Sequence, residues 1–105
     1  GPRQMEISMK PAQNPRESAQ MLALRALAWL AADAGRIGGF MAATGAGPAE
    51  LAARAQDADF QLAILDFLLM DDRQVIAFCD DEGLPYAAPL SARAALPGGA
   101  EPDWT

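Results

Sequence analysis

The chain has 105 residues, of which 51% are hydrophobic, and a formal charge of −6 from eight basic and fourteen acidic side chains. That length makes one domain able to bury roughly 65% of its unfolded surface, and the apolar content excludes a wholly disordered chain. The negative charge weighs against nonspecific binding to nucleic acid or to an anionic membrane.

Residues 1–13 contain Pro2 and Pro11, show no sustained periodicity, and read as a flexible arm. Gly1-Pro2 has the look of a tag remnant, which would put the natural start at Met5 or Met9. Asn14-Pro15-Arg16-Glu17 is a helix start: Asn14 caps, Pro15 suits the first helical position, and Glu17 completes a capping box. The spacing of Leu22, Ala26, Trp29 and Leu30 predicts a helix over 15–33, with Gly35 as its stop. Ile37, Phe40, Met41 and Thr44 recur at helical spacing and predict a second helix. Gly38-Gly39 inside it costs about 1 kcal/mol per glycine, which makes sense where another backbone comes close. Thr44-Gly45-Ala46-Gly47 ends that helix, and Pro48-Ala49-Glu50-Leu51 starts a third that runs to about Gln56.

Asp57 is then the cap of the most apolar segment. From Phe60 to Met70 only Gln61 and Asp66 are polar. At 100° per residue the apolar groups cover nearly the whole circumference, so a helix over about 58–70 should be enclosed by the others. It is too short to span a bilayer, which needs about 20 apolar residues. Asp71-Asp72-Arg73-Gln74 caps a fifth helix with Val75, Ile76, Phe78 and Cys79 apolar and Gly83 as terminator. Pro89 opens a last short helix through Leu96, stopped by Pro97-Gly98-Gly99. No alternating strand pattern occurs. The expectation is all-α: a compact bundle of about six short helices around the central one, a single domain over 14–97, and a loose acidic tail over 98–105.

The order Thr44-Gly45, Pro48-x-Glu50-Leu51, Asp57-x-x-Phe60, Leu65-Asp66-Phe67-Leu68-Leu69, Ala77-Phe78-Cys79 and Ala92-Arg93-x-x-Leu96-Pro97-Gly98 resembles the domain of unknown function 3572 family. The resemblance covers about residues 15–99, and the Leu-Asp-Phe-Leu-Leu run is its most specific part. Ala58 departs from it, since proline is expected at the first position of the central helix. What the resemblance implies is a small alphaproteobacterial protein with no assigned activity, and a bacterial signalling or transcription component as the kind of partner.

Candidate chemistry is sparse. Histidine is absent and cysteine occurs once. The usual triads, an internal disulfide and an ordinary zinc site are thereby excluded, and a reducing, cytoplasmic setting fits. No catalytic residue, cofactor site or metal site is expected. Cys79 reads as a small core residue, and the glycines make no phosphate cradle because no Gly-Lys-Ser/Thr follows. Asp80-Asp81-Glu82 opposes the dipole at the C-terminus of the fifth helix, an unusual placement that suits a docking surface for a basic partner. Arg36, Gly38, Gly39 and Trp104 complete that expected partner surface, and Met21, Met41, Met70, Trp29 and Phe40 serve either as core or as a pliable groove. Asp66, if buried, must pair with an arginine such as Arg25 or Arg93, or cap a neighbouring helix. With Asn14, Asp57 and Asp71 it forms the expected set of structural polar groups. The functional expectation is a non-enzymatic protein–protein interaction module, a small regulator or adaptor, with a homodimer as one form. The alternatives are a helix-turn-helix-like nucleic-acid-associated regulator and a small-ligand binder or carboxylate-only enzyme.

Overall fold

A computed structural model describes residues 14–99. Within them the chain forms six helices and no strand: α1 Pro15–Ala31, α2 Ala34–Thr44, α3 Pro48–Ala53, α4 Ala58–Leu69, α5 Asp72–Glu82 and α6 Ala88–Ala95. The expected arm and the tail with Trp104 lie outside the described residues.

The helix starts follow their local chemistry. Asn14 Oδ1 accepts the Glu17 N–H at 2.7 Å behind Pro15 at the first helical position. At α3 the return half of a capping box is present, with Glu50 Oε1 accepting the Gly47 N–H at 2.7 Å. Asp71 caps α5 by accepting the Arg73 N–H at 2.9 Å. Gly45 and Gly83 end α2 and α5 at φ 77° and 70°, a left-handed conformation that a side chain would strain.

Three expectations about helix ends need correction. Gly35 does not stop α1. Asp33 turns the chain and caps α2, accepting the Gly35 N–H at 3.1 Å, so Gly35 lies inside the first turn of α2. Asp57 occupies the cap position of α4, but its side chain makes no cap bond. α3 also ends at Ala53, short of Gln56, and Arg54 to Gln56 form a turn whose Ala55 carbonyl accepts from Gln61 Nε2 at 2.9 Å.

The core has two hubs rather than one. α4 packs against α1, α2, α5 and α6, and α1 packs in turn against α2, α4 and α6. Phe60, Ile64, Leu65 and Leu68 of α4 are fully buried beside Leu30 and Ala26 of α1, Phe40 of α2 and Phe78 of α5. α4 is not covered all round, however. Asp59 and Asp66 face solvent, and Met70, just past the helix, is 75% exposed. Ile76, expected on the apolar face of α5, is also exposed. Gln61 is wholly buried, its Nε2 bonded as above and its Oε1 without a partner.

Candidate functional site

Two features of α1 organise the surface: its C-terminal half is clipped to α5, and among the described residues its N-terminal half borders an open hollow. Pro15, Ser18, Leu22, Arg25 and Trp29 are spaced by alternate steps of three and four residues, so they form one line along the helix.

At the Trp29 end of that line lies the acidic cluster. Trp29 Nε1 donates to Asp81 Oδ2 at 2.7 Å. Arg25 donates to Glu82 Oε1 from Nε at 3.0 Å and reaches the Glu82 carbonyl at 3.2 Å. The Tyr86 hydroxyl donates to Asp80 Oδ1 at 2.8 Å. Each carboxylate therefore has a donor in the same chain. Opposing the helix dipole costs about 0.3–1 kcal/mol per group. A hydrogen bond to a charged group contributes about 1 kcal/mol or more, which is enough to offset it. The negative charge of Asp80 pushes the Tyr86 hydroxyl above its ordinary range, through the hydrogen bond first and Coulomb repulsion of the phenolate second.

Trp29 carries the network further. Its ring meets Phe78 edge-on at 5.6 Å, and the Arg36 guanidinium lies 4.2 Å over it. Arg36 also pairs with Asp33 at 3.1 Å. Of the expected partner surface, Asp81, Glu82 and Arg36 are thus engaged in holding α1, α2 and α5 together, and Asp80 ties α5 to the turn that follows it. The unusual charge placement has an internal purpose that the sequence reading did not supply. Gly38 meets nothing within 4 Å, and a methyl on Gly39 would meet only the Phe67 ring at 3.4 Å. Among the described residues no backbone approaches there, contrary to expectation, and Trp104 lies outside them.

At the other end of the line α1 faces α6 across a trough. Pro15, Ser18, Ala19 and Leu22 form one wall, and Ala88, Ser91, Ala92 and Ala95 form the other, around about 270 Å³. A second hollow of about 280 Å³ continues it past Met21, Leu22, Arg25 and Leu84, sharing Ser18 and Leu22 with the first. Small side chains let the two helix backbones approach, and among the described residues nothing bulky fills the outside of their seam. Met21, at the rim, is 54% exposed. The sequence signal for this trough was present: the heptad-like line on α1 and the Ala/Ser repeat of α6. Neither helix reveals it alone.

Asp66 is paired with Arg93, one of the two partners expected, and is half exposed rather than buried. Arg93 also donates to the Gly99 carbonyl at 2.8 Å, tying α4, α6 and the final turn together. A methyl group on Gly99 would fall 1.7 Å from the Arg93 carbonyl oxygen, so that close approach admits only glycine. The pairing with Asp66 raises the Arg93 pKa further. Arg25, the other partner considered, serves Glu82 instead. Cys79 is fully buried, and its thiol contacts the Pro85 carbonyl at 3.4 Å. Burial chiefly, with Asp80 nearby, pushes its pKa up and holds the thiol protonated. Phe40 is core, while Met21 and Met70 are exposed and do not fill it. Among the described residues no group of three His, Cys, Asp or Glu side chains converges as a metal site would need, and no helix is long and apolar enough to cross a membrane.

The family model described as "Protein of unknown function (DUF3572)" matches residues 16–99, most of the chain. The chain belongs to this family. No curated protein and no solved structure matches it. As a DUF3572 protein it has the matched region coinciding with the described helices, trough and clip included.

Proposed function

We propose that this DUF3572 protein is a non-enzymatic helical interaction module, a cytosolic regulator or adaptor that holds an apolar segment of another protein in the trough between α1 and α6. The observation that carries this reading is the trough itself. It has two walls, is lined mainly by apolar atoms, and its two hollows share Ser18 and Leu22. The expected acidic surface is a weaker candidate for holding an occupant by itself, because its carboxylates already accept hydrogen bonds from Tyr86, Trp29 and Arg25.

Each large apolar side chain buried in the trough contributes about 1.5–3 kcal/mol. Micromolar affinity needs about 8 kcal/mol, beyond the cost of association. Several anchors spread over both halves of the trough are therefore required. The helix-turn-helix alternative draws no comparable support, since Arg25, Arg36 and Arg93 are bound to carboxylates of their own chain. The carboxylate-enzyme alternative would need an enclosed polar cavity around Asp66, whose side chain is 52% exposed and paired with Arg93.

The test is a paired capture from cells that express the protein naturally, using the wild-type chain and a Ser18→Gln/Ser91→Gln double variant. Both serines are exposed, and glutamine fills the trough with polar bulk without hindering a helix. A protein enriched by the wild type and lost with the variant supports the reading. Identical captures from both chains contradict it.

A further inference from the structure

We infer that the occupant of the trough is an amphipathic helix of another protein whose apolar stripe ends in basic residues, seated with its basic end over Asp80 and Asp81. This rests on the trough being the docking surface.

The line Pro15, Ser18, Leu22, Arg25 and Trp29 has the three–four spacing against which a second helix packs its own apolar stripe. From Pro15 to Arg25 it covers about three helical turns, or roughly 15 Å. The second hollow is bordered by Arg25, which meets Glu82. Past that point the surface turns acidic. Glu82 is paired with Arg25, whereas Asp80 and Asp81 accept hydrogen bonds from the neutral donors Tyr86 and Trp29. The C-terminal carbonyls of α5 add to the negative potential. An occupant is therefore favoured when a cation follows its apolar stripe at this end, and its direction along α1 is set by that cation.

No described helix of a second copy carries a free basic residue in its last turn. Helices α1 to α5 have no basic residue in their last turn, and the one in α6, Arg93, is bound to Asp66. The net charge of −6 also favours a basic partner over a like-charged one.

Two synthetic helical peptides with one leucine stripe, one ending in lysines and the other in glutamates, test the proposal by fluorescence anisotropy on the full chain. The lysine-ended peptide should bind about tenfold tighter at low salt. An Asp80→Asn/Asp81→Asn variant keeps the acceptors for Tyr86 and Trp29 and should reduce that preference to about twofold or less. The Ser18→Gln/Ser91→Gln variant should lose both peptides. Equal affinity for the two peptides, abolished by the trough variant, would overturn the basic-helix assignment and leave the docking surface standing. Peptide binding that ignores the trough variant would overturn both. Three further results would give the trough to another occupant and overturn the inference: a dimer of the chain alone that the trough variant dissociates, tighter peptide binding after removal of residues 1–13, or trough-dependent binding to phosphatidylserine vesicles.

Discussion

The two flanks of α4 are closed in opposite ways. Toward α2 the seam is filled by rings: Phe40 stands edge-on to both Phe60 and Phe67, with centroids 5.6 and 5.5 Å apart. Toward α1 and α6 it is closed by backbones. Ala19, Ala23 and Ala26 of α1 are 2%, 0% and 0% exposed, and Ala92 of α6 is 6% exposed. Large side chains close a core by occupying volume, and small ones close it by letting helices approach. The ring-filled flank is closed by side-chain volume. The alanine-lined flank leaves a trough, and that is where a surface for another molecule is available.

The contrast predicts opposite sensitivities. Phe40→Ala should destabilise the fold by about 3–5 kcal/mol in urea unfolding, since both ring contacts go at once and a cavity remains. On the other flank truncation has little to remove, and enlargement does the damage. Ala26→Leu should cost about 1–3 kcal/mol by forcing α1 away from its neighbours. Finding Phe40→Ala mild and Ala26→Leu neutral would dissolve the distinction between the flanks.

Smaller effects come from the polar ties. Arg93→Ala removes the Asp66 pair and the Gly99 bond, both partly exposed, and should cost about 1 kcal/mol. Tyr86 gives a pH signature with a definite sign. Its folded pKa lies above the ordinary value of 10.0, so the protonated hydroxyl favours the folded state. That stability is fully present below about pH 10 and is lost as pH rises through the folded pKa. Wild type should therefore lose stability on the alkaline side more steeply than Tyr86→Phe, read by thermal melts across that range. The smallest effect belongs to the trough variant Ser18→Gln/Ser91→Gln, which should stay within about 0.5 kcal/mol of wild type.

Much of the fold was legible from the sequence, for local reasons. Asn14 before Pro15, Asp71 before α5, and Gly45 and Gly83 as terminators each act within a few residues. The helix boundaries that failed, at Gly35 and Gln56, turned on which of two neighbouring signals the chain uses, and Asp33 as a cap outweighed Gly35 as a stop. The pairing of Asp66 with Arg93 could be narrowed to two arginines but not chosen, because the choice depends on how α6 crosses α4. The acidic end of α5 was misread for a related reason. A carboxylate against a helix dipole looks costly until Trp29 and Arg25, more than fifty residues earlier in the chain, are known to face it. The trough is legible least of all, being a property of two helices and of neither alone.

The most direct measurement is to map backbone amide shifts of the full chain by NMR as the lysine-ended helical peptide is added. The account predicts changes concentrated on the open line of α1 from Ser18 to Arg25 and on the facing residues Leu84, Ser91 and Ala92, with α3 undisturbed. Changes centred instead on α2 and α3 would contradict it.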